Sequence, residues 1–184
     1  FSFGNAGTPG VYFDEENRRH LLTIRQAFAN VAESLAKEGK KEEARNLLDK
    51  MEKGINTVNM PYAMVSRSNQ HNIVAISVME AAYEAEHKEL GDRVRKDINK
   101  DIDQQLRYYA ALGSMTVDEM MQHLQNPDAL SNKQRSLYGE IEQTYRVQNY
   151  LSFIEGKYNI TEEKQEAPAD TVENSSTTGK DSVQ

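Results

Sequence analysis

At 184 residues the chain is long enough for one domain with its own core, and the absence of cysteine excludes disulfides and thiolate metal sites. Its formal net charge is −7, but six acidic residues against two lysines in 161–184 carry −4 of this, which leaves −3 elsewhere. So mild a charge excludes a broad electrostatic attraction to nucleic acid, which requires clustered Lys and Arg. No apolar run approaches the roughly 20 residues that span a bilayer, so this chain is not expected to cross a membrane.

The first half of the chain begins with a lead-in loop and a pair of helices. Residues 1–14 are rich in glycine and predict a loop that ends at Asp14, a plausible N-cap. Apolar residues at three- and four-residue steps then predict a helix over 15–38, whose apolar face includes Leu21, Ile24, Phe28, Val31 and Leu35. Gly39 fits the left-handed position that ends a helix, and a second helix is predicted over 41–55. One helix pair cannot bury its apolar face alone, so stacked neighbours are expected.

The second half of the chain predicts four more helices. Two helices are expected at 69–86 and 88–112, the first with Ile73, Ile76, Met79 and Tyr83 on one stripe. Thr116 with Glu119 and Ser131 with Gln134 have the spacing of capping boxes, and they predict helices at 117–125 and 132–157. The expected fold is therefore all-α, with about six helices in antiparallel hairpins. The helical domain is predicted to cover 15–158, followed by a disordered acidic, Ser/Thr-rich tail at 159–184.

A weak internal repeat relates the first two helix pairs. Residues from Gly39 align with residues from Glu86, which places Ala44 on Gly91 and Val31 on Val78. Small residues at the aligned positions of Ala44 and Gly91 allow two helix backbones to approach closely. A larger side chain at Ala44 is therefore expected to destabilise the fold by about 1–3 kcal/mol.

The best candidate for a binding site is the irregular connector between the second and third helices, together with the residues that follow it. Asn, Gln and His offer hydrogen-bond donors and acceptors, and Arg offers a planar fork for a carboxylate, a phosphate or a sugar hydroxyl. The candidate binding residues are Tyr62, Arg67, Asn69, Gln70, His71 and Asn72. The alternative is that these polar groups only cap helices and satisfy the backbone of the loop.

Catalytic and metal chemistry have little support in the sequence. Glu84 and His87 match half of the helix motif that binds carboxylate-bridged metals, but that chemistry requires two such motifs and further acids. Serine-nucleophile signatures and phosphate-binding glycine loops are absent. We therefore expect no catalytic residue, no metal and no cofactor, and a free-standing hydrolase is the third choice among the functions considered.

Parts of this sequence resemble a known helical repeat and a known protein family. The hairpin of the first two helices is similar to tetratricopeptide repeats, with residues at the matching positions: Phe28, Ala32, Leu35, Gly39, Ala44 and Leu48. The segments GVYFDEENRRHLLTIRQAFANVAESLAKEGKKEEA, MPYAMVSRSNQHN and DQQLRYYAAL resemble the C-terminal soluble region of a family of large bacterial multi-pass membrane proteins. That family resembles protein O-mannosyltransferases and carries a domain of unknown function. The likeness covers roughly residues 1–112.

The resemblance implies a right-handed, tetratricopeptide-like stack that follows a membrane-embedded, glycosyltransferase-like part upstream. The start at Phe1, without a methionine, agrees with a piece of a longer protein. The acidic catalytic residue of that family lies in loops of the membrane part, so no residue of this chain inherits a catalytic role. The helical region is expected on the periplasmic face of the bacterial inner membrane, and a cytoplasmic location stays open.

These observations lead to one favoured function and one main alternative. The favoured function is a non-catalytic helical-repeat interaction module that binds a protein or peptide partner, a glycan or the parent's own membrane part. The alternative is a purely structural brace that oligomerises or stabilises the parent and binds no ligand.

Overall fold

The computed structural model of the chain describes residues 3–126, 128 and 130–160. Within these residues it contains six α-helices, one 3₁₀ turn (Arg67–Asn69) and no β-strand. The helices are α1 (Glu15–Lys37), α2 (Lys41–Gly54), α3 (Gln70–Glu84), α4 (Lys88–Gly113), α5 (Val117–Gln125) and α6 (Asn132–Lys157). The predicted all-α fold with about six helices is confirmed. Of the predicted tail at 159–184, residues 161–184 lie outside the described residues.

Local sequence signals set most helix ends. The Asp14 carboxylate accepts the backbone N–H of Asn17 at 2.8 Å, and it satisfies one of the free donors at the start of α1. Thr116 and Ser131 both form complete capping boxes at the starts of α5 and α6. Gly39 has a φ of +84°, the left-handed conformation that a glycine adopts without steric cost. These four predicted helix ends are therefore confirmed.

The helices pack in a continuous series with α3 at the centre. α1 lies against both α2 and α3, α3 against α4, and α4 against α6. Lys41, at the start of α2, forms an ion pair with Glu86, just after α3, and Arg45 donates a hydrogen bond to the carbonyl of Ala85 at 2.9 Å. The carboxyl ends of α1 and α3 are therefore neighbours. The right-handed tetratricopeptide-like stacking stays a prediction.

The face that α1 buries most deeply is made of small residues. Ala29, Ala32 and Ala36 are almost completely buried, so the backbones of α1 and its neighbours approach closely. Val31, which the periodicity placed on the apolar face, is instead 52% exposed, and Ile73 of α3 is 40% exposed. These two placements were wrong because the helices pack through their alanine stripe, which turns the neighbouring larger side chains outwards.

The lead-in loop is fastened to the end of α2 and to the connector. Asn59 accepts a hydrogen bond from the backbone N–H of Gly10 at 2.9 Å and donates to the carbonyl of Thr8 at 2.5 Å. The backbone N–H of Asn56 donates to the carbonyl of Ala6 at 2.9 Å. The Asn59 carboxamide thus both accepts a hydrogen bond from the loop backbone and donates one to it, which holds the loop along the connector.

Candidate functional site: a strained turn beside a groove

The turn that leads into α3 holds two consecutive residues in the left-handed region. Ser68 has φ 57° and ψ 26°, and Asn69 has φ 49° and ψ 30°. For residues with a Cβ atom this conformation costs about 1–2 kcal/mol each, although Asn tolerates it better than Ser. Such strain persists only where the surrounding structure enforces it, and it is frequent at binding and catalytic sites.

A buried network of side-chain amides holds Asn69 in place. Its Nδ2 donates to Gln105 Oε1 at 3.1 Å, and Gln105 Nε2 donates back to Asn69 Oδ1 at 3.0 Å. Thr144 Oγ1 of α6 donates to the same Gln105 oxygen at 3.1 Å. Asp101 accepts from Asn72 at 2.8 Å and from Gln105 at 2.6 Å. The turn is therefore fixed by α4 and α6, and its strain is balanced by bonds to distant parts of the chain.

A second buried group ties α1 to the connector. The guanidinium of Arg25, 1% exposed, donates to the carbonyl of Met60 at 2.7 Å and to that of Pro61 at 2.9 Å. It also lies over the ring of Tyr62, 4.4 Å from the centroid, and the Tyr62 hydroxyl donates to Glu52 at 3.0 Å. Burial lowers the pKa of Arg25, and burial followed by the charge of Glu52 raises the pKa of Tyr62. Because Met60, Pro61 and Tyr62 all belong to the connector, the contacts of Arg25 hold the connector against α1.

His71 is a buried polar residue whose hydrogen-bonding capacity is unused. It is 8% exposed, and neither ring nitrogen has a partner among the residues that the structure describes. Nε of Arg18 is also buried and has no partner within the described part of the chain. Burial lowers the pKa of His71, and the positive charges of Arg25 and Arg18 lower it further, while Asp101 acts in the opposite direction. Burial and the two guanidinium charges therefore both disfavour protonation of the imidazole.

A surface groove runs between α1 and α3, starting at the strained turn. It has a volume of about 460 Å³, and its lining residues are Leu22, Thr23, Gln26, Ala27, Asn30, Gln70, Ile73 and Val74. None of these described lining residues is charged or aromatic. The Gln26 carboxamide Nε2 donates a hydrogen bond to Asn30 Oδ1 along the rim at 2.7 Å. We call this feature the α1–α3 groove; it offers an apolar floor with amide and hydroxyl groups around it.

The structure places the six predicted binding residues in two groups. Tyr62, Asn69, His71 and Asn72 are buried. Of these four, the side chains of Tyr62, Asn69 and Asn72 make internal hydrogen bonds. Arg67 and Gln70 are exposed, and Gln70 lines the α1–α3 groove. The role of these six residues in binding stays a prediction.

The sequence reasoning missed several residues that shape this region. Arg25, Gln105 and Thr144 belong to the buried contacts, and Thr23, Gln26 and Asn30 belong to the groove. Arg25 lies one helical turn from Leu21 and from Ala29, so a charged residue on an otherwise apolar face was the available signal.

Among the described residues, no group of three or more His, Asp or Glu side chains is arranged to hold a metal ion. Glu84 and His87 point to different partners: the Tyr158 hydroxyl donates to Glu84 at 2.6 Å, and His87 Nε2 lies 2.9 Å from Asp49 Oδ1. None of the described helices combines the length and the apolarity that crossing a bilayer demands.

Comparison with known proteins yields no match to a family model, to a curated sequence or to a solved structure. The resemblance to the multi-pass membrane family therefore rests on the motifs quoted above, and it stays a prediction.

Proposed function

We propose that this helical domain is a non-catalytic interaction module, appended to a membrane glycosyltransferase-like protein on the periplasmic side. It holds an extended polypeptide segment, from a partner or from the parent itself, in the α1–α3 groove. The observation that carries the proposal is the composition of that groove, an apolar floor of Leu22, Ala27, Ile73 and Val74 under a rim of uncharged hydrogen-bonding groups.

The rim matches a peptide backbone in its chemistry. Each of the carboxamides of Gln26, Asn30 and Gln70 offers both a donor and an acceptor, as a peptide group does. The apolar floor supplies burial for side chains of the bound segment. A sugar is the weaker candidate, since the described lining residues include no aromatic ring on which a sugar face could pack.

The rigidity of the surroundings also supports binding. The groove begins at the turn that the Asn69–Gln105 network fixes, and its α1 wall is tied to the connector by Arg25. A preformed site loses less entropy when a ligand is bound. Backbone strain such as that at Ser68 and Asn69 is frequent at binding sites, so it also supports the proposal.

The groove is tested with peptides selected from a random displayed library on the intact 184-residue chain. Affinity for a selected peptide is measured by calorimetry for the wild type and two variants. Ala27→Trp fills the groove and should weaken binding at least tenfold, about 1.4 kcal/mol. Ala111→Trp adds the same side chain at an exposed position of α4 and should leave affinity unchanged. Equal binding by both variants, at equal melting temperatures, would reject the groove as the site.

Attachment to a membrane part is tested on the parent protein. The genomic sequence directly upstream of Phe1 should encode a series of hydrophobic spans, and reporter fusions after the helical domain should locate it in the periplasm. A soluble protein upstream, or a reporter active only in the cytoplasm, would contradict this part of the proposal.

A structural brace is the second candidate, because α6 carries an exposed apolar pair. Phe153 is 68% exposed and Tyr150, one turn earlier, is 38% exposed. An apolar ridge of this kind is suited to contact with another copy or with the parent. Sedimentation at two concentrations tests self-association: a concentration-dependent dimer that Phe153→Ser abolishes supports an oligomerising brace, and a monomer at both concentrations rejects self-association through this pair.

A further inference from the structure

We infer that the α1–α3 groove selects one class of segment: about four residues of extended, uncharged chain with aliphatic side chains at alternate positions. The backbone of this segment bonds to the free amide atoms of Gln26 and Asn30. The inference rests on the proposed function, since it specifies the conformation and the side chains of the ligand that the groove holds.

The hydrogen bond between Gln26 and Asn30 determines which amide atoms are available to a ligand. Because Nε2 of Gln26 donates to Oδ1 of Asn30 at 2.7 Å, Oε1 of Gln26 stays available as an acceptor and Nδ2 of Asn30 as a donor. Both residues line the groove; Asn30 is exposed and Gln26 is half-buried, so a ligand in the groove can reach them. The rim therefore offers one acceptor and one donor.

The spacing of these two groups matches an extended backbone. Gln26 and Asn30 are four residues apart, and four residues of α-helix rise about 6 Å. Backbone groups on one edge of an extended chain recur at every second residue, at intervals of about 6.6 Å. A segment that lies along α1 can therefore place an N–H beside Gln26 and a C=O beside Asn30. A helical segment is excluded, because its interior backbone groups are already bonded within the helix.

The floor of the groove determines the length and the side chains of the segment. The α1 wall extends from Leu22 to Asn30, about 12 Å of helix, which is the length of about four extended residues. When one edge of such a segment bonds to the rim, every second side chain faces the floor. Ile73 of the floor is 40% exposed, so an aliphatic side chain that covers it removes apolar surface from water.

The charge of the groove excludes charged side chains at the positions that face the floor. None of the described lining residues is charged, so a charged group there would lose its hydration and gain no ionic partner. Gln70 lies exposed on the opposite wall, where its carboxamide can bond to the second edge of the segment. An uncharged groove with amides on both walls thus matches an uncharged extended chain.

The side-chain pattern is tested with peptides selected from a random displayed library on the 184-residue chain, keeping those that Ala27→Trp fails to bind. The retained sequences should share two aliphatic residues separated by one position, and replacing either of them with Asp should weaken binding about tenfold or more. Aliphatic residues three or four positions apart, as on one face of a helix, would overturn the inference. Unchanged affinity after both replacements with Asp would also overturn it.

The backbone contact is tested by methylating each backbone nitrogen of one retained peptide in turn and measuring affinity by calorimetry. Methylation at one position should weaken binding to the wild type about tenfold, and should have no effect on binding to Gln26→Met, which lacks the acceptor oxygen. Gln104→Met, at an exposed position of α4, is the matched control and should respond as the wild type does.

The two levels of the account fail in different ways. If Ala27→Trp blocks the peptides but methylation weakens binding to Gln26→Met as much as to the wild type, the backbone contact is wrong and the groove function stands. If Ala27→Trp binds every selected peptide as tightly as the wild type does, the groove function itself fails.

Discussion

Asn69 and Gln105 exchange hydrogen bonds in both directions through their side-chain carboxamides, at 3.1 and 3.0 Å, although they are 36 positions apart in the chain. Asn69 holds a left-handed backbone at the start of α3, and Gln105 lies in the second half of α4. The pair therefore fixes a strained turn through contacts that are fully buried.

Replacing Asn69 should show both its bonding and its conformational roles. Asn69→Ala removes the buried hydrogen bonds that Asn69 makes with Gln105 and Asn72 and keeps a Cβ in the left-handed region, so the free energy of unfolding should fall by about 2–4 kcal/mol. Asn69→Gly loses the same bonds without the steric penalty, and it should be about 1 kcal/mol more stable than the alanine variant. Urea unfolding measures both. Equal stability of the two variants would mean that the left-handed conformation carries no strain.

Arg25 should resist even its most conservative replacement. A lysine cannot donate to the carbonyls of Met60 and Pro61 in the fixed geometry of a guanidinium or stack in the same way over Tyr62. Arg25→Lys should therefore lower the free energy of unfolding by about 2 kcal/mol. Arg19→Lys, on the exposed side of α1, is the matched control and should change stability by less than about 0.5 kcal/mol. If both variants are equally stable, the buried bonds of Arg25 contribute little.

Local signals in the sequence predicted the helices well. The features that the sequence did not predict depend on nonlocal contacts. Asp14, Gly39, Thr116 and Ser131 act within one helical turn, so a residue pattern is enough to locate them. The exposure of Val31 was not predictable in this way, because it depends on which face of α1 meets α3.

The candidate site was only partly visible in the sequence for the same reason. The connector stood out through its polar residues, but its partners Arg25, Gln105 and Thr144 lie on three other helices. Arg and Gln are usually exposed, so their burial follows from tertiary contacts that a pattern does not record. The groove likewise forms only when α1 and α3 are side by side.

Two glycines in helix interiors should respond oppositely to the same substitution. A Cβ at Gly91 would lie 2.8 Å from the ring of Tyr83, which is stacked on Tyr158 and donates to Asp92 at 2.7 Å. Gly91→Ala should therefore destabilise the fold by about 1–3 kcal/mol. A Cβ at Gly139 meets nothing within 4 Å, so Gly139→Ala should stabilise it by about 0.5–1 kcal/mol. Thermal unfolding of the two variants checks this, and a stabilised Gly91→Ala would show that the ring moves aside.

His71 should make the fold less stable in mild acid. Its pKa is lowered in the folded state from the ordinary 6.5, chiefly by burial, so the unfolded chain binds more protons below that pH. The free energy of unfolding of the wild type should consequently fall, relative to that of His71→Gln, as the pH decreases from 7 to the lowered pKa. Urea titrations of the wild type and of this variant at several pH values provide the comparison, with His20→Gln as the control for loss of an imidazole. Parallel curves for wild type and His71→Gln would contradict the lowered pKa.

The most direct measurement is a map of backbone amide shifts in the ¹⁵N-labelled 184-residue chain as a selected peptide is added. Binding in the α1–α3 groove should shift the amides of Thr23, Ala27, Asn30, Gln70 and Ile73 in proportion to occupancy, and Ala27→Trp should abolish these shifts. Shifts confined to α4, α5 or α6, with the groove amides unchanged at saturation, would contradict the proposal that this groove is where the domain holds its partner.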